Sequence, residues 1–308
     1  MIEVAGLTRR FTDKLAVDDL TFRVEPGQVT GLLGPNGAGK STTMRMIVGL
    51  DRPTAGAARI DGEDFRTCST PMATLGALLD PTAVHRGRTG RTHLRALAAS
   101  NGIRDQHVDR VLEMTGMTDA AHHRISTYSL GMQQRIGIAA ALLGEPRNLI
   151  LDEPVNGLDP DGVHWVRQLV RHLASTGCTV LISSHLMSEM SLTADRVIVI
   201  GRGRLIRDGS VADIISSATR SSVFVRSLRP AELAIALREI GGEVDTDADG
   251  SLVVRGLTSD AIGDRAFAHG IPVHELVPRT GSLEDAFLEL TADAQEYPSE
   301  AGAGGVER

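Results

Sequence analysis

Gly34-Pro35-Asn36-Gly37-Ala38-Gly39-Lys40-Ser41-Thr42 decides how the rest of this chain is read. The stretch fits the pattern G-x-x-x-x-G-K-[ST], a loop whose backbone N–H groups cradle phosphate oxygens. Its glycines let the main chain come close to an anion. In that pattern Lys40 supplies positive charge for the outer phosphates, and the Ser41 hydroxyl is a magnesium ligand. The flanks agree. Val29-Thr-Gly-Leu-Leu33 is an apolar run that predicts a buried strand, and Thr43 to Val48 has helical apolar spacing. Strand, Gly-rich loop and helix N-terminus, in that order, form an arrangement that binds phosphate. The competing reading is a tight glycine turn with no ligand.

The whole chain has 308 residues, 42% of them hydrophobic and 23% charged, which is a globular composition with room for two domains. The net charge of −7 argues against a general nucleic-acid binder, whose surface would be basic. The two cysteines, Cys68 and Cys178, imply no disulfide framework and read as small buried hydrophobes in a reducing compartment. No apolar run reaches the length of a membrane span, and the N-terminus has no basic run followed by an apolar core. Any role at a membrane is therefore expected to pass through a partner.

Residues 1 to 30 alternate apolar and polar side chains, as in Leu20-Thr-Phe22-Arg-Val24, and predict an antiparallel β layer. Residues 90 to 145 are rich in Leu, Ala and Arg and predict helices. Three apolar runs, Leu149 to Leu151, Thr179 to Ser183 and Arg196 to Ile200, predict strands with helical segments between them, a parallel doubly wound pattern. After a polar linker near Ser216 to Ser222, strand, helix, two strands and helix follow from Val223, then a strand from Val273 and a helix over Leu283 to Leu290. That order suggests a small ferredoxin-like α+β module. The Gly/Ala/Glu-rich end, from residue 292, is expected to be disordered.

The run Asn148 to Leu151 ends in Asp152 and Glu153, and a strand of an open α/β sheet aims its C-terminal end at the ligand crevice. Asp152 is a candidate to hold Mg²⁺, and Glu153 a candidate to orient or deprotonate water; an exposed turn or helix cap is the plainer alternative. Tyr128-Ser129-Leu130-Gly131-Met132-Gln133-Gln134-Arg135 precedes an apolar helix, with Ser129 as a good N-cap and Gly131 permitting close backbone approach. Taken alone, a plain cap explains it. His122 and His123 carry no metal-ligand pattern.

Together with Asn156-Gly-Leu-Asp159 and Ser183-Ser-His185, these motifs stand in one order along the chain, and the chain resembles the ATP-binding subunits of ABC transporters. The wording Val155-Asn-Gly-Leu-Asp-Pro and Ser129-Leu-Gly-Met is similar to export ATPases of the antibiotic- and multidrug-resistance type. The resemblance implies an α/β fold of the P-loop NTPase class: a mixed sheet core, an antiparallel β layer and a helical subdomain at about 85–145. It implies an ATPase domain over 1–218, a linker at 219–222, an α+β module over 223–291 and a tail over 292–308. It also implies ATP and Mg²⁺, a second copy in an ATP-bound head-to-tail dimer, and a polytopic permease that holds the subunit at the cytoplasmic face of the membrane. No nucleic acid is expected as a partner.

For individual residues the resemblance implies that Phe11 stacks on adenine, against a plain core role, and that Gly34 to Thr42 bind the phosphates. Ser129 and Gly131 would contact the γ-phosphate held by the other copy, with Asp159 connecting the two sites. His185 would contact the γ-phosphate and the water held by Glu153. Two departures stand out. Leu130 and Met132 occupy positions where the family usually has Gly and Gln. Asp80 stands where Gln is usual, and a carboxylate ~5 Å from a phosphate oxygen would be repelled by ~3 kcal/mol at an effective dielectric of about 20. Asp80 is therefore expected either to face the metal, as a ligand or water contact, or to swing away from the phosphates. The arginines from Arg86 to Arg95 suit a contact with the membrane subunit or a solvated face. An importer ATPase, a soluble ABC machine and a non-hydrolysing ATP sensor are the competing functions; intact Glu153 and His185 argue against the last.

Overall fold

The computed structural model describes residues 1–12, 14–218, 222–247, 249–279 and 281–291. The tail expected at 292–308 lies outside them, as does the linker expected at 219–222 apart from Ser222, which opens a strand. Met1–Ser210 forms one compact unit and Val211–Leu290 a second.

The first unit runs β1 (Ile2–Phe11), β2 (Lys14–Val24), β3 (Val29–Leu33), α1 (Lys40–Ile47), β4 (Ala55–Ile60), α2 (Pro71–Thr74), β5 (Leu75–Leu78), α3 (Gly90–Ser100), α4 (Gln106–Met114), α5 (Leu130–Leu142), β6 (Asn148–Leu151), α6 (Pro160–Ser175), β7 (Thr179–Ser183), α7 (Met187–Thr193), β8 (Arg196–Gly201) and β9 (Arg204–Ser210). Two sheets result. One is antiparallel, in the order β2-β1-β4. The other has the order β5-β6-β7-β3-β8-β9, with its first five strands parallel and β9 antiparallel at the edge.

The burial patterns follow from these positions. β3, β6 and β7 are buried at every residue, as parallel strands covered on both faces must be. β2 alternates, burying Val17, Leu20, Phe22 and Val24 while its charged residues face out. Those side chains join Met44 and Ile47 of α1 and Leu32, Ile150, Leu181 and Ile198 of the large sheet in one core. Each such fully buried aliphatic side chain is worth about 1.5–3 kcal/mol. The α/β class, the antiparallel layer and the mixed sheet agree with the sequence.

Register places the ends of three strands level. Leu32 of β3 pairs with Ser183 of β7, and Leu151 of β6 pairs with Ile182 of β7. The segments that follow β3, β6 and β7 therefore leave the sheet side by side.

The second unit contains α8 (Val211–Ala218), β10 (Ser222–Ser227), α9 (Pro230–Arg238), β11 (Glu243–Thr246), β12 (Leu252–Arg255), α10 (Ser259–Ala268), β13 (Val273–Arg279) and α11 (Leu283–Thr291). Its sheet is antiparallel throughout, in the order β11-β12-β10-β13, and Val223, Val225, Leu233, Leu237, Val254 and Ile262 lie at the centre of its core.

Both cysteines are free, but only Cys178 is buried; Cys68 is half-exposed, its Sγ 3.2 Å from Thr74 Oγ1. Burial pushes the Cys178 thiol up to about 11. At pH 8 about one Cys178 in a thousand is then a thiolate, the reactive form. Ellman's reagent at pH 8 should titrate one thiol quickly in the native protein and two after denaturation. Two fast thiols in the native protein would contradict the packing at Cys178.

Candidate functional site

The loop from β3 to α1 is wedged in place by backbone on both sides. A Cβ on Gly34 would come 2.5 Å from the Ile200 carbonyl oxygen, and one on Gly39 would come 2.5 Å from that of Ala16. Gly39 is the N-cap of α1, in the left-handed region at φ 99, and no side chain caps the helix. The first N–H groups of α1 are thus left for an external acceptor, and the helix dipole favours an anion there. Lys40 opens the helix at 8% exposure, its ammonium donating to Gly34 O at 2.7 Å and Pro35 O at 3.3 Å. Burial lowers the Lys40 pKa below its ordinary value, while the charges of Glu153 and Asp152 oppose that shift.

β6 delivers the two acids, and β7 fixes them. Ser183, fully buried at the end of β7, donates its hydroxyl to Asp152 Oδ1 at 2.5 Å and accepts the Glu153 N–H at 2.8 Å. Glu153 has φ 50, a left-handed conformation that costs a non-glycine residue about 1–3 kcal/mol and survives only where its surroundings hold it. Its carbonyl oxygen accepts the Asn156 N–H at 3.2 Å and Gln134 Nε2 at 3.3 Å. Glu153 Oε2 stands 2.8 Å from His185 Nδ1 and accepts the His185 backbone N–H at 3.3 Å. A carboxylate held this way is oriented to position a water or accept its proton.

These elements open onto a cleft of about 650 Å³. Its lining comes from the first two strands (Phe11, Lys14, Ala16), from the loop and first turn of α1 (Asn36–Thr42), and from the strand-end segments (Glu153, Asn156, His185). The structure thus gathers Phe11, Lys40, Ser41, Thr42, Glu153 and His185 in one place. Gly34, Pro35 and Asp152 fall outside the lining, Gly34 and Asp152 being buried.

Ser129, Gly131, Asp159 and Asp80 are also outside it. Ser129 caps α5, its Oγ accepting the Met132 N–H at 3.2 Å. Gly131 lies close to the Asn156–Asp159 segment: a Cβ there would be 3.3 Å from both Gly157 O and Leu158 Cδ2, and Leu130 packs on Gly157. Asp159 caps α6, accepting the Gly162 N–H at 2.9 Å. Asp80 Oδ1 accepts the Thr82 hydroxyl at 2.7 Å and the Thr82 N–H at 2.8 Å, which holds its carboxyl below the usual range. Sequence reasoning did not single out Ser183, Gln134, Asn156, Lys14 or Ala16 as site residues. A hydroxyl ending an apolar strand, in a sheet whose next strand ends in two acids, was the available signal for Ser183.

A family model described as "ABC transporter" matches residues 17–156, and another, described as a domain of unknown function, matches residues 221–284. The chain is 34% identical over 299 residues to YhcH of Bacillus subtilis (strain 168), an uncharacterized ABC transporter ATP-binding protein, covering 96% of this chain and 97% of that one. This chain belongs to the ABC transporter ATP-binding proteins. It is also 35% identical over 311 residues to the daunorubicin resistance ATP-binding protein DrrA3 of Streptomyces coeruleorubidus, covering 95% of this chain and 96% of DrrA3. A solved ATP-binding subunit of an ABC transporter superposes with a TM-score of 0.65 at 28% identity, over 70% of this chain and 92% of that one. The chain is accordingly an ABC-type ATPase that binds a nucleotide.

Replacing Ser183 by Ala removes one hydrogen bond to a carboxylate and leaves the Glu153 N–H unpaired. Bonds to charged groups are worth about 1.5–3 kcal/mol, so turnover should fall about ten- to a hundredfold. Single-turnover ATPase assays alongside equilibrium ATP binding check this, with affinity expected near that of the unsubstituted protein.

Proposed function

We infer that this chain powers an ABC exporter by hydrolysing ATP in a cleft that a second copy completes. The observation that carries this reading is the cleft itself: it gathers Phe11, Lys40, Glu153 and His185 but leaves the Ser129-Leu-Gly131 stretch outside its lining. In this reading Phe11 stacks on the adenine base, and Asn36 to Thr42 with Lys40 hold the phosphates. Glu153 orients the attacking water and takes its proton, while His185 holds Glu153 and faces the γ-phosphate. Ser129 and Gly131 serve the nucleotide of the other copy in a head-to-tail dimer, and Asp159, beside them in the following segment, connects the two sites.

Ser41 and Asp152 are the residues that would hold Mg²⁺. They fit the ion in their chemistry: the donors are a hydroxyl and a carboxylate, both hard oxygen ligands. A hard ion that takes most of its ligands from water and substrate phosphates needs only one or two protein oxygens. When bound, magnesium neutralises charge on the phosphates. Asp80 would join them as a metal-side ligand or water contact through its second oxygen, its Oδ1 being engaged by Thr82 as Asp152 Oδ1 is by Ser183.

Hydrolysis removes the γ-phosphate and with it the contacts shared by the two copies, which is how nucleotide can shift a conformational equilibrium. A polytopic permease converts that shift into transport, holds the pair at the cytoplasmic face of the membrane and selects the cargo. No helix among the described residues is itself long and apolar enough to cross a membrane. Likeness to a daunorubicin resistance protein supports export of drugs, antibiotics or other small hydrophobic compounds.

Two substitutions test the assignment. Lys40→Ala should abolish ATP binding. Glu153→Gln should bind ATP and lose about 10²–10⁴-fold in turnover, the usual worth of a positioned base. Near-normal turnover in Glu153→Gln would remove Glu153 from that role.

A further inference from the structure

Phe11 does not stand alone at the edge of the cleft. It ends β1 at 41% exposure, and the Arg9 guanidinium carbon lies 4.4 Å from the centroid of its ring. Residues two apart on a strand share a face, so the strand itself brings Arg9 beneath Phe11. Register shifts between Leu7, Arg9 and Arg10 in the pairing with β2 locally re-aim this end of the strand. Arg9 is also anchored at its far end: Nη1 donates to the Arg52 carbonyl oxygen at 2.5 Å, in the segment that follows α1. Its Nε is buried with no hydrogen-bond partner. A guanidinium nitrogen left without an acceptor is compensated by the negative face of the ring it covers.

We propose that Arg9 is the positioning residue for the nucleotide base, clamping one face of Phe11 so that the other face is presented to the base. The inference rests on the reading that Phe11 stacks on adenine. Arg9 acts in two ways. It removes the rotamer freedom of an exposed ring at a strand end, so less is lost when a base is ordered against it. It also draws ring electron density toward itself, which eases stacking of an electron-rich purine on the opposite face. Because Arg9 is held by the segment after α1, the surface for the base is tied to the helix that begins with Lys40 and Ser41. The recognised chemistry is a heteroaromatic base carried on a triphosphate, and the effect of Arg9 is confined to the base.

A comparison of ATP with inorganic tripolyphosphate, which has no base, tests this. The full chain is used in the Glu153→Gln background so that nothing is hydrolysed, and both ligands are titrated with magnesium present. Arg9→Met, which keeps the stem and removes the guanidinium, should weaken ATP about three- to tenfold and leave tripolyphosphate unchanged. Arg9→Lys, which keeps the charge, should recover part of the loss; it also provides a reading if the Met variant is poorly folded. In the hydrolytically competent chain, KM for ATP should rise with kcat unchanged. Equal weakening of both ligands would make Arg9 a general structural residue and overturn the proposal. ATP affinity unaffected by Arg9→Met but reduced by Phe11→Ala would overturn it while leaving the stacking role of Phe11 intact. ATP affinity unaffected by Phe11→Ala as well would overturn both.

Discussion

The site depends on one hydroxyl placed by strand register. Ser183 ends β7 between β3 and β6, level with Leu32 on one side and with Asp152 on the other. From there its oxygen reaches the side chain of Asp152 and the main chain of Glu153 at once. A shift of one residue between β6 and β7 would turn every side chain of the strand to the opposite face and break both bonds. The sheet core thus does more than support the loops above it. It sets the two acids in relation to the phosphate-binding loop that leaves the neighbouring strand.

Glu153 shows why the surroundings must be stiff. Its left-handed backbone is unfavourable alone, yet it points the carboxylate at His185. Ser183 holds the amide side of the residue, and Asn156 and Gln134 hold the carbonyl side. Gln134 belongs to α5, the helix capped by Ser129, so the segment read as serving one nucleotide is bonded to the acid read as serving another. Leu130 packing on Gly157 adds a second contact between the same segments. The unusual Leu at position 130 fills the space over a glycine that has no side chain of its own, so the departure from the family pattern has a packing partner.

Much of this was legible in the sequence, for identifiable reasons. The glycine-rich loop reads directly because only glycines tolerate its φ angles and its close backbone neighbours. The buried strands read as unbroken apolar runs because both of their faces are covered. Glu153 and His185 follow from motif order and Phe11 from its place between the first strands, and the structure sets all three around the loop. Ser183 and Gln134 did not read, because their bonds to the acids join residues 31 and 19 positions apart and depend on register and helix placement. Asp80 and Asp159 each have one carboxylate oxygen bonded to a group two or three residues ahead, Thr82 and Gly162; those local bonds are visible in sequence beside the roles that family position implies. Cys68 read as buried because cysteine usually is; it sits before a short helix that leaves it half-exposed.

A cleft that needs a second copy behaves differently from one that is complete within a chain, and lesions placed on separate copies reveal which it is. Heterodimers purified through two different affinity tags can carry Lys40→Ala on one copy and Gly131→Asp on the other, or both changes on the same copy. With composite clefts, the separated lesions fall in the same cleft and leave the other intact, so ATP turnover survives; the combined lesions damage both clefts and abolish it. Turnover in the combined form together with none in the separated form would show that each chain builds its cleft alone, and would contradict this account.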